Sequence, residues 1–208
     1  VASARKATLL RISHKAMLEQ IRPADLLARP ERRLDMAPVA ELVSGARVFI
    51  TGGGGTIGGE LARQCAALGP AELTIFDSSE FNVFEIDKEL SRAYPNVVRR
   101  MVIGDVRDEI RLEQAMREAA PDVVIHAAAL KHVPLMEEGD NAWQCLRNNV
   151  LGTSHAAQAA ADCGAERFVL ISTDKAVNPT NVMGATKRAA EMVVSMMAAE
   201  HPGTRFMA

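Results

Sequence analysis

From Arg47 onward, short runs that are apolar throughout alternate with longer stretches in which apolar residues recur every three or four positions. The runs are Arg47–Thr51, Leu73–Phe76, Val97–Ile103, Val123–Ile125 and Phe168–Ile171. Runs of this length that do not alternate with polar residues predict strands covered on both faces. Between them, Ile57, Leu61, Cys65 and Leu68 keep helical spacing until Gly69-Pro70 stops it. A second helix is expected over Ser79–Ser91. A third has Asp108 as its cap and Leu112, Ala115, Met116 and Ala119 on one face. A long helix is expected over Asn141–Cys163, with Gly164 just past its end, and a last one over Val182–His201. Strand–helix alternation implies right-handed βαβ units. The pattern therefore predicts an α/β fold, a Rossmann-type doubly wound parallel sheet.

Residues 1–44 do not follow this pattern. They are basic near the start and then carry Pro23, Pro30 and Pro38. They predict a leader or linker with short helices near Leu9–Glu19 and Val39–Val43, ahead of a dinucleotide-binding domain over 45–208. The chain starts at Val1, not Met, and Thr204–Ala208 reads as a strand just beginning. The expectation is a C-terminally truncated fragment, with a substrate domain beyond 208 and room for a membrane anchor outside it.

Composition narrows the function classes. At 208 residues the chain holds one large domain, or one with an appendage. A net charge of −2 does not favour nucleic acid or an anionic membrane. Cys65, Cys145 and Cys163 show no paired spacing and read as core residues of a reducing compartment. No apolar run approaches the ~20 residues that span a bilayer, and no signal peptide is apparent. No histidine pair has metal spacing, so no metal is expected.

The first strand leads into Thr51-Gly52-Gly53-Gly54-Gly55-Thr56-Ile57-Gly58, read as TGxxGxxG. Gly52 would allow a tight turn, Gly55 close approach to a pyrophosphate, and Gly58 close helix packing on the sheet. Thr56 and Ile57 open the helix whose N-terminus would hold the phosphates. Asp77, ending the next strand, is placed to accept hydrogen bonds from the adenosine ribose. Its charge opposes a 2′-phosphate, and Ser78, Ser79 and Glu80 offer no compensating arginine, so NAD is expected over NADP. Asp105, beside Val106, is a candidate adenine contact or, equally, a turn residue before the helix. The row His126-Ala127-Ala128-Ala129 ends the fourth strand. Its alanines leave room for the dinucleotide, while His126 reads as a core histidine.

A further constellation lies between Ile171 and Lys187. Thr173, Asp174 and Lys175 follow the fifth strand, and Met183 and Lys187 share one face of the last helix. TGxxGxxG, Gly104-Asp105-Val106, the run His126–Pro134, Asn149, and Thr173-Asp174-Lys175 followed by MxxxK together resemble the extended short-chain dehydrogenase/reductase superfamily. More narrowly, the chain is similar to bacterial UDP-N-acetylglucosamine 4,6-dehydratases of the capsule and O-antigen polysaccharide group. The resemblance covers about residues 20–208. The leader Ile21–Pro30 is similar to the segment preceding the catalytic domain of the long, membrane-anchored members. The resemblance thus implies anchoring in the bacterial inner membrane with the catalytic part on the cytoplasmic side.

It also implies a three-stage reaction. NAD⁺ takes hydride from sugar C4, water leaves from C5–C6, and the hydride returns to C6, with no net redox change. Asp174 would be the acid for the departing hydroxyl, its pKa raised by burial or a carboxylate neighbour. Lys175 would be the C5 base, tuned by desolvation, and Thr173 would bond O4. Lys187 would hold the nicotinamide ribose. Lys131, His132 and Asn178 would contact the UDP-sugar, and Asn149 would order a water or a turn beneath Lys187. Met183 stands where the superfamily usually has tyrosine, and a thioether has no titratable proton. The C4 proton would then pass to Thr173, a water or Asp174. The long-form members also carry methionine here. An epimerase and a non-catalytic dinucleotide-binding module are the competing readings. A homo-oligomer through the helices near 141–163 and 182–201 is a further implication.

Overall fold

The computed structural model describes residues 35–208. The helix expected at Leu9–Glu19 lies outside them. Six strands form a single sheet: β1 (Arg47–Thr51), β2 (Glu72–Asp77), β3 (Arg99–Ile103), β4 (Val123–His126), β5 (Arg167–Leu170) and β6 (Arg205–Met207). Every pairing is parallel and the order is β3-β2-β1-β4-β5-β6. The order reverses between β1 and β4, which is where sheets of this kind open a crevice at their carboxyl edge. Thr51 pairs with Phe76 on one side and His126 on the other, so the three central strands end level.

The helices are α1 (Ala37–Val43), α2 (Thr56–Ala67), α3 (Glu80–Ala93), α4 (Glu109–Ala119), α5 (Val133–Met136), α6 (Asn141–Leu146), α7 (Gly152–Asp162) and α8 (Val182–Glu200). Successive strand residues point to opposite faces. Ile50, Ile75 and Ile125 therefore meet Ala62, Cys65, Ile86 and Leu90 of α2 and α3. Phe49, Phe76, Val124 and Phe168 meet α4, α7 and α8 on the other face. Each of these large side chains contributes about 1.5–3 kcal/mol by leaving water. Val43, at the end of α1, is buried with the first set, so the last helix of residues 1–44 joins the sheet's core.

Local chemistry sets the helix ends. Asp108 accepts from the Arg111 N–H (3.1 Å), and Asn181 accepts from the Gly184 N–H (2.7 Å). Both satisfy donors that the helix leaves unpaired. Gly164 follows α7 at φ +75°, a left-handed position that suits glycine.

The helix expected over 141–163 is helical throughout but departs once from α geometry. Between α6 and α7, Arg147–Leu151 adopts a π-helical turn. That turn holds Asn149, which is 1% exposed. Two short elements were not expected: α5, and a single 3-10 turn at Asp174–Ala176.

Candidate active site

A cleft of about 550 Å3 opens at the carboxyl edge where the strand order reverses. At its phosphate end, Gly52 has φ +66°, and a Cβ there would lie 2.6 Å from the Ala128 backbone. Only glycine lets the first loop pass the end of β4 at this distance. A Cβ on Gly58 would sit 2.1 Å from the Gly52 carbonyl oxygen. Gly58 thus closes the loop onto itself, a tighter constraint than the helix–sheet packing expected of it. Gly55, Thr56 and Ile57 line the cleft at the start of α2. The first N–H groups of a helix have no partner within it, which suits this end to a phosphate.

Asp77 is fixed by the backbone around it. Its two oxygens accept from the Gly54 N–H (3.0 Å) and the Ser79 N–H (2.9 Å), and its residue lines the cleft. Asp105 is a turn residue that also faces the cleft. It lines the cleft beside Val106, and its carbonyl accepts from the Asp108 N–H in the turn before α4. Its carboxylate also accepts from the Arg107 backbone N–H (2.8 Å) and guanidinium (2.9 Å), which hold it below the usual carboxylate range. Ala127, Ala128 and Ala129 form the adjoining wall. The size, the glycine turn and the fixed acid fit a dinucleotide.

Asn149, expected to order a water or a turn, lies beneath this wall and holds its backbone. Its amide accepts from the Leu130 N–H (2.9 Å) and donates to the Leu130 carbonyl (3.0 Å) and to Thr186 Oγ1 (3.0 Å). The neighbouring Asn148 is the one that lines the cleft.

At the other end, Thr173, Lys175, Met183 and Lys187 line the cleft together. Lys187 is 5% exposed and donates to the Ile171 carbonyl (2.7 Å); burial lowers its pKa to about 8. Met183 is buried in a small apolar cluster with Met136 and Cys145. Thr173 Oγ1 donates to Asp174 Oδ1 (3.0 Å) and accepts from the Lys175 N–H (3.4 Å). Lys175 Nζ lies 3.4 Å from the same Asp174 oxygen.

This geometry corrects the electrostatics expected of Asp174. Its side chain is 88% exposed, and it does not line the cleft. Bonds from the Thr173 hydroxyl and the Lys175 ammonium hold its carboxyl below the usual range instead of raising it. Lys175 is half-exposed, so burial does not desolvate it here.

Of the residues expected to contact substrate, Lys131 lines the cleft but His132 and Asn178 do not. His132 is an exposed residue at the start of α5, and Asn178 is an exposed residue at φ +50° after the 3-10 turn. Sequence reasoning missed Ser79, Asn82 and Ser172 as cleft residues. Ser79 caps α3 by accepting from the Asn82 N–H (3.3 Å), a signal readable in the residues after Asp77. Ser172 donates to Glu191 Oε1 (2.6 Å), a pairing that depends on α8 and has no local signal. Among the described residues, no group of three His, Cys, Asp or Glu is placed to hold a metal, and no helix is long and apolar enough to cross a membrane.

Known proteins are similar to this chain. The chain is 42% identical over 192 residues to a capsular polysaccharide biosynthesis protein of Staphylococcus aureus, covering 92% of this chain and 32% of the relative. It is 36% identical over 168 residues to an inverting UDP-N-acetylglucosamine 4,6-dehydratase of Campylobacter jejuni, covering 79% of this chain and 48% of that enzyme. Among solved structures, a dTDP-glucose 4,6-dehydratase of Streptomyces venezuelae with NAD bound superposes with a TM-score of 0.63 at 28% identity. That match covers 74% of this chain and 52% of the other. The chain thus spans about half or less of the length of these relatives. Residues 48–208, which hold the sheet, the glycine loop and the Thr173–Lys187 constellation, match a family model described as polysaccharide biosynthesis protein, and the chain belongs to that family.

Proposed function

We propose that this chain is the NAD-binding part of a nucleotide-sugar 4,6-dehydratase that converts UDP-N-acetylglucosamine to a UDP-4-keto-6-deoxy sugar for surface polysaccharide. The observation that carries the reading is the contiguous set of Thr173, Asp174 and Lys175, of which Thr173 and Lys175 line the same cleft end as Lys187 while Asp174 bonds both from outside it. An epimerase shares the oxidation at C4 but has no need of an acid–base pair for losing water.

Gly52, Gly55, Thr56 and Ile57 would hold the pyrophosphate, Asp77 the adenosine ribose, and Lys187 the nicotinamide ribose. Bound NAD supplies the hydride acceptor and donor. The Asp174 carboxylate, through the Thr173 hydroxyl, gives the missing tyrosine a replacement. Asp174 is ionised at rest, with the Thr173 hydroxyl already donating to it. A sugar O4 proton can therefore pass to Asp174 through Thr173 as C4 is oxidised. The same proton then leaves with the C6 hydroxyl as water, so the acid is generated within the cycle and need not exist beforehand. Lys175, once it has shed its ammonium proton to solvent, takes the C5 proton and returns it as hydride reaches C6. Met183 packs and takes no proton. Lys131 is placed for the sugar or its phosphates.

The test is incubation of the full-length protein carrying this chain with UDP-N-acetylglucosamine. A 4-keto-6-deoxy product is expected, and Asp174→Asn and Lys175→Ala should each abolish it. Turnover that survives both substitutions would overturn the role assignment.

A further inference from the structure

His126 ends β4 with 0% exposure and is the only buried imidazole among the described residues. Its Nδ1 lies 2.7 Å from Thr51 Oγ1, and its Nε2 lies 3.0 Å from Thr153 Oγ1. Proton directions along this chain follow from counting. The Thr153 hydroxyl has one proton and donates it to the Asn149 carbonyl oxygen at 2.6 Å. A carbonyl can only accept. Thr153 Oγ1 must therefore accept from His126, which places the imidazole proton on Nε2. Nδ1 is then bare and accepts from the Thr51 hydroxyl. No buried side-chain polar atom among the described residues is left without a partner. Burial and the nearby Lys187 charge push the His126 pKa down to about 3, in keeping with a neutral ring.

The bonds also close on themselves. Asn149, whose carbonyl Thr153 holds, grips both the N–H and the C=O of Leu130 with its side chain. Leu130 lies four residues past His126 along the chain. The segment Ala127–Leu130 is thus tied at one end by His126 and at the other by Asn149. The links run from His126 through Thr153 to Asn149 and back to Leu130. That same segment lines the cleft. Asn149 sits in the π-helical turn, and its side chain serves Leu130 while its carbonyl serves Thr153.

We propose that His126 is a positioning residue, a neutral Nε2–H imidazole that closes a hydrogen-bonded ring holding the Ala127–Leu130 wall against the dinucleotide. It touches neither cofactor nor sugar. The cofactor part of the proposal rests on the reading of the cleft as an NAD site; the ring and tautomer do not.

Two measurements on the full chain test it. The first is ¹⁵N–¹H correlation of histidine-labelled protein at neutral pH, with the His126 signals identified by their loss in His126→Gln. A protonated Nε2 and a bare Nδ1 are expected. The opposite tautomer, or a doubly protonated ring, overturns the proposal. The second compares Thr153→Val with Thr51→Val. Each removes one buried hydrogen bond of His126, but only Thr153 lies in the ring. Thr153→Val should speed exchange of the Leu130 amide by about tenfold, and weaken NAD binding by about the same factor, the scale of one buried hydrogen bond. Thr51→Val should change Leu130 exchange by less than about threefold on that scale. Equal effects of the two substitutions on Leu130 exchange mean a merely structural histidine and overturn the proposal. If the unaltered protein binds no NAD, the cleft reading fails on its own, while amide exchange and the tautomer still decide the ring.

Discussion

The two ends of the cleft are built differently. At the phosphate end, position is enforced by backbone: glycines whose Cβ atoms would overlap their neighbours, and an aspartate held by two main-chain N–H groups. At the chemical end, Asp174 and Lys175 stand in solvent, held chiefly by Thr173 and by each other. Lys187 is the exception, buried and anchored to the Ile171 carbonyl. Exposed ion pairs of this kind add little to stability. The difference teaches that cofactor binding is a property of the fold here, whereas the proposed dehydration chemistry rides on a few residues the fold hardly depends on. Substitutions can therefore separate the two.

The largest effect is expected at Gly58. Gly58→Ala sets a methyl group against the Gly52 carbonyl, where a Cβ would lie at 2.1 Å. The loop must open to admit it, and NAD affinity should fall by roughly a hundredfold or more, the scale of severe backbone strain. Fluorescence titration reads this, and near-normal binding would mean that the loop is not the phosphate site.

Lys187 gives the next largest effect, on stability. Its folded pKa of about 8 lies below its ordinary value of 10.5. The folded state therefore releases its proton before the unfolded state does, and stability rises as pH climbs through that window. The rise amounts to about 3 kcal/mol by pH 10.5, and below pH 8 the burial penalty is carried in full. Urea unfolding at pH 7.5 and pH 10 should show it as the difference between the unaltered protein and Lys187→Met, since the buried Cys65, Cys145 and Cys163 thiols, raised by burial, lose stability over the same range in both.

Asp77→Ala removes a carboxylate placed for ribose hydroxyls. NAD binding should weaken by about ten- to a hundredfold, the scale of charge-assisted hydrogen bonds. Discrimination against NADP should narrow at the same time, which titration of both dinucleotides measures.

The smallest effect sharpens the comparison most. Asp174→Ala should change unfolding free energy by less than about 0.5 kcal/mol, as exposed substitutions usually do. NAD affinity should stay within about twofold, while turnover is lost. Denaturant melts and titration on one preparation test this.

The fold was largely legible because its strands are continuously apolar and its helices are punctuated by residues with a physical duty, such as Asp108 and Gly164. The glycine loop, Asp77 and the alanine wall were legible for the same reason: each is a local sequence feature at a strand end. The π-helical turn was not, because one extra residue hardly disturbs the apolar spacing on either side of it. The contact made from it, Asn149 reaching Leu130 nineteen residues away, exists only after folding. The exposure of Asp174 was hidden too. Sequence placed it at a strand end, but the 3-10 turn that points it outward depends on how the chain packs after β5. Met183 illustrates both sides. Its position four residues before Lys187 was plain, whereas its burial with Met136 and Cys145 was not.

The central claim is that the hydride leaves C4 and returns to C6. UDP-N-acetylglucosamine deuterated at C4, given to the full-length protein, tests it in one mass spectrum and one proton spectrum of the product. The account predicts deuterium in the new C6 methyl group of a 4-keto sugar. Deuterium retained at C4, with the 6-hydroxyl intact, would contradict it and identify an epimerase.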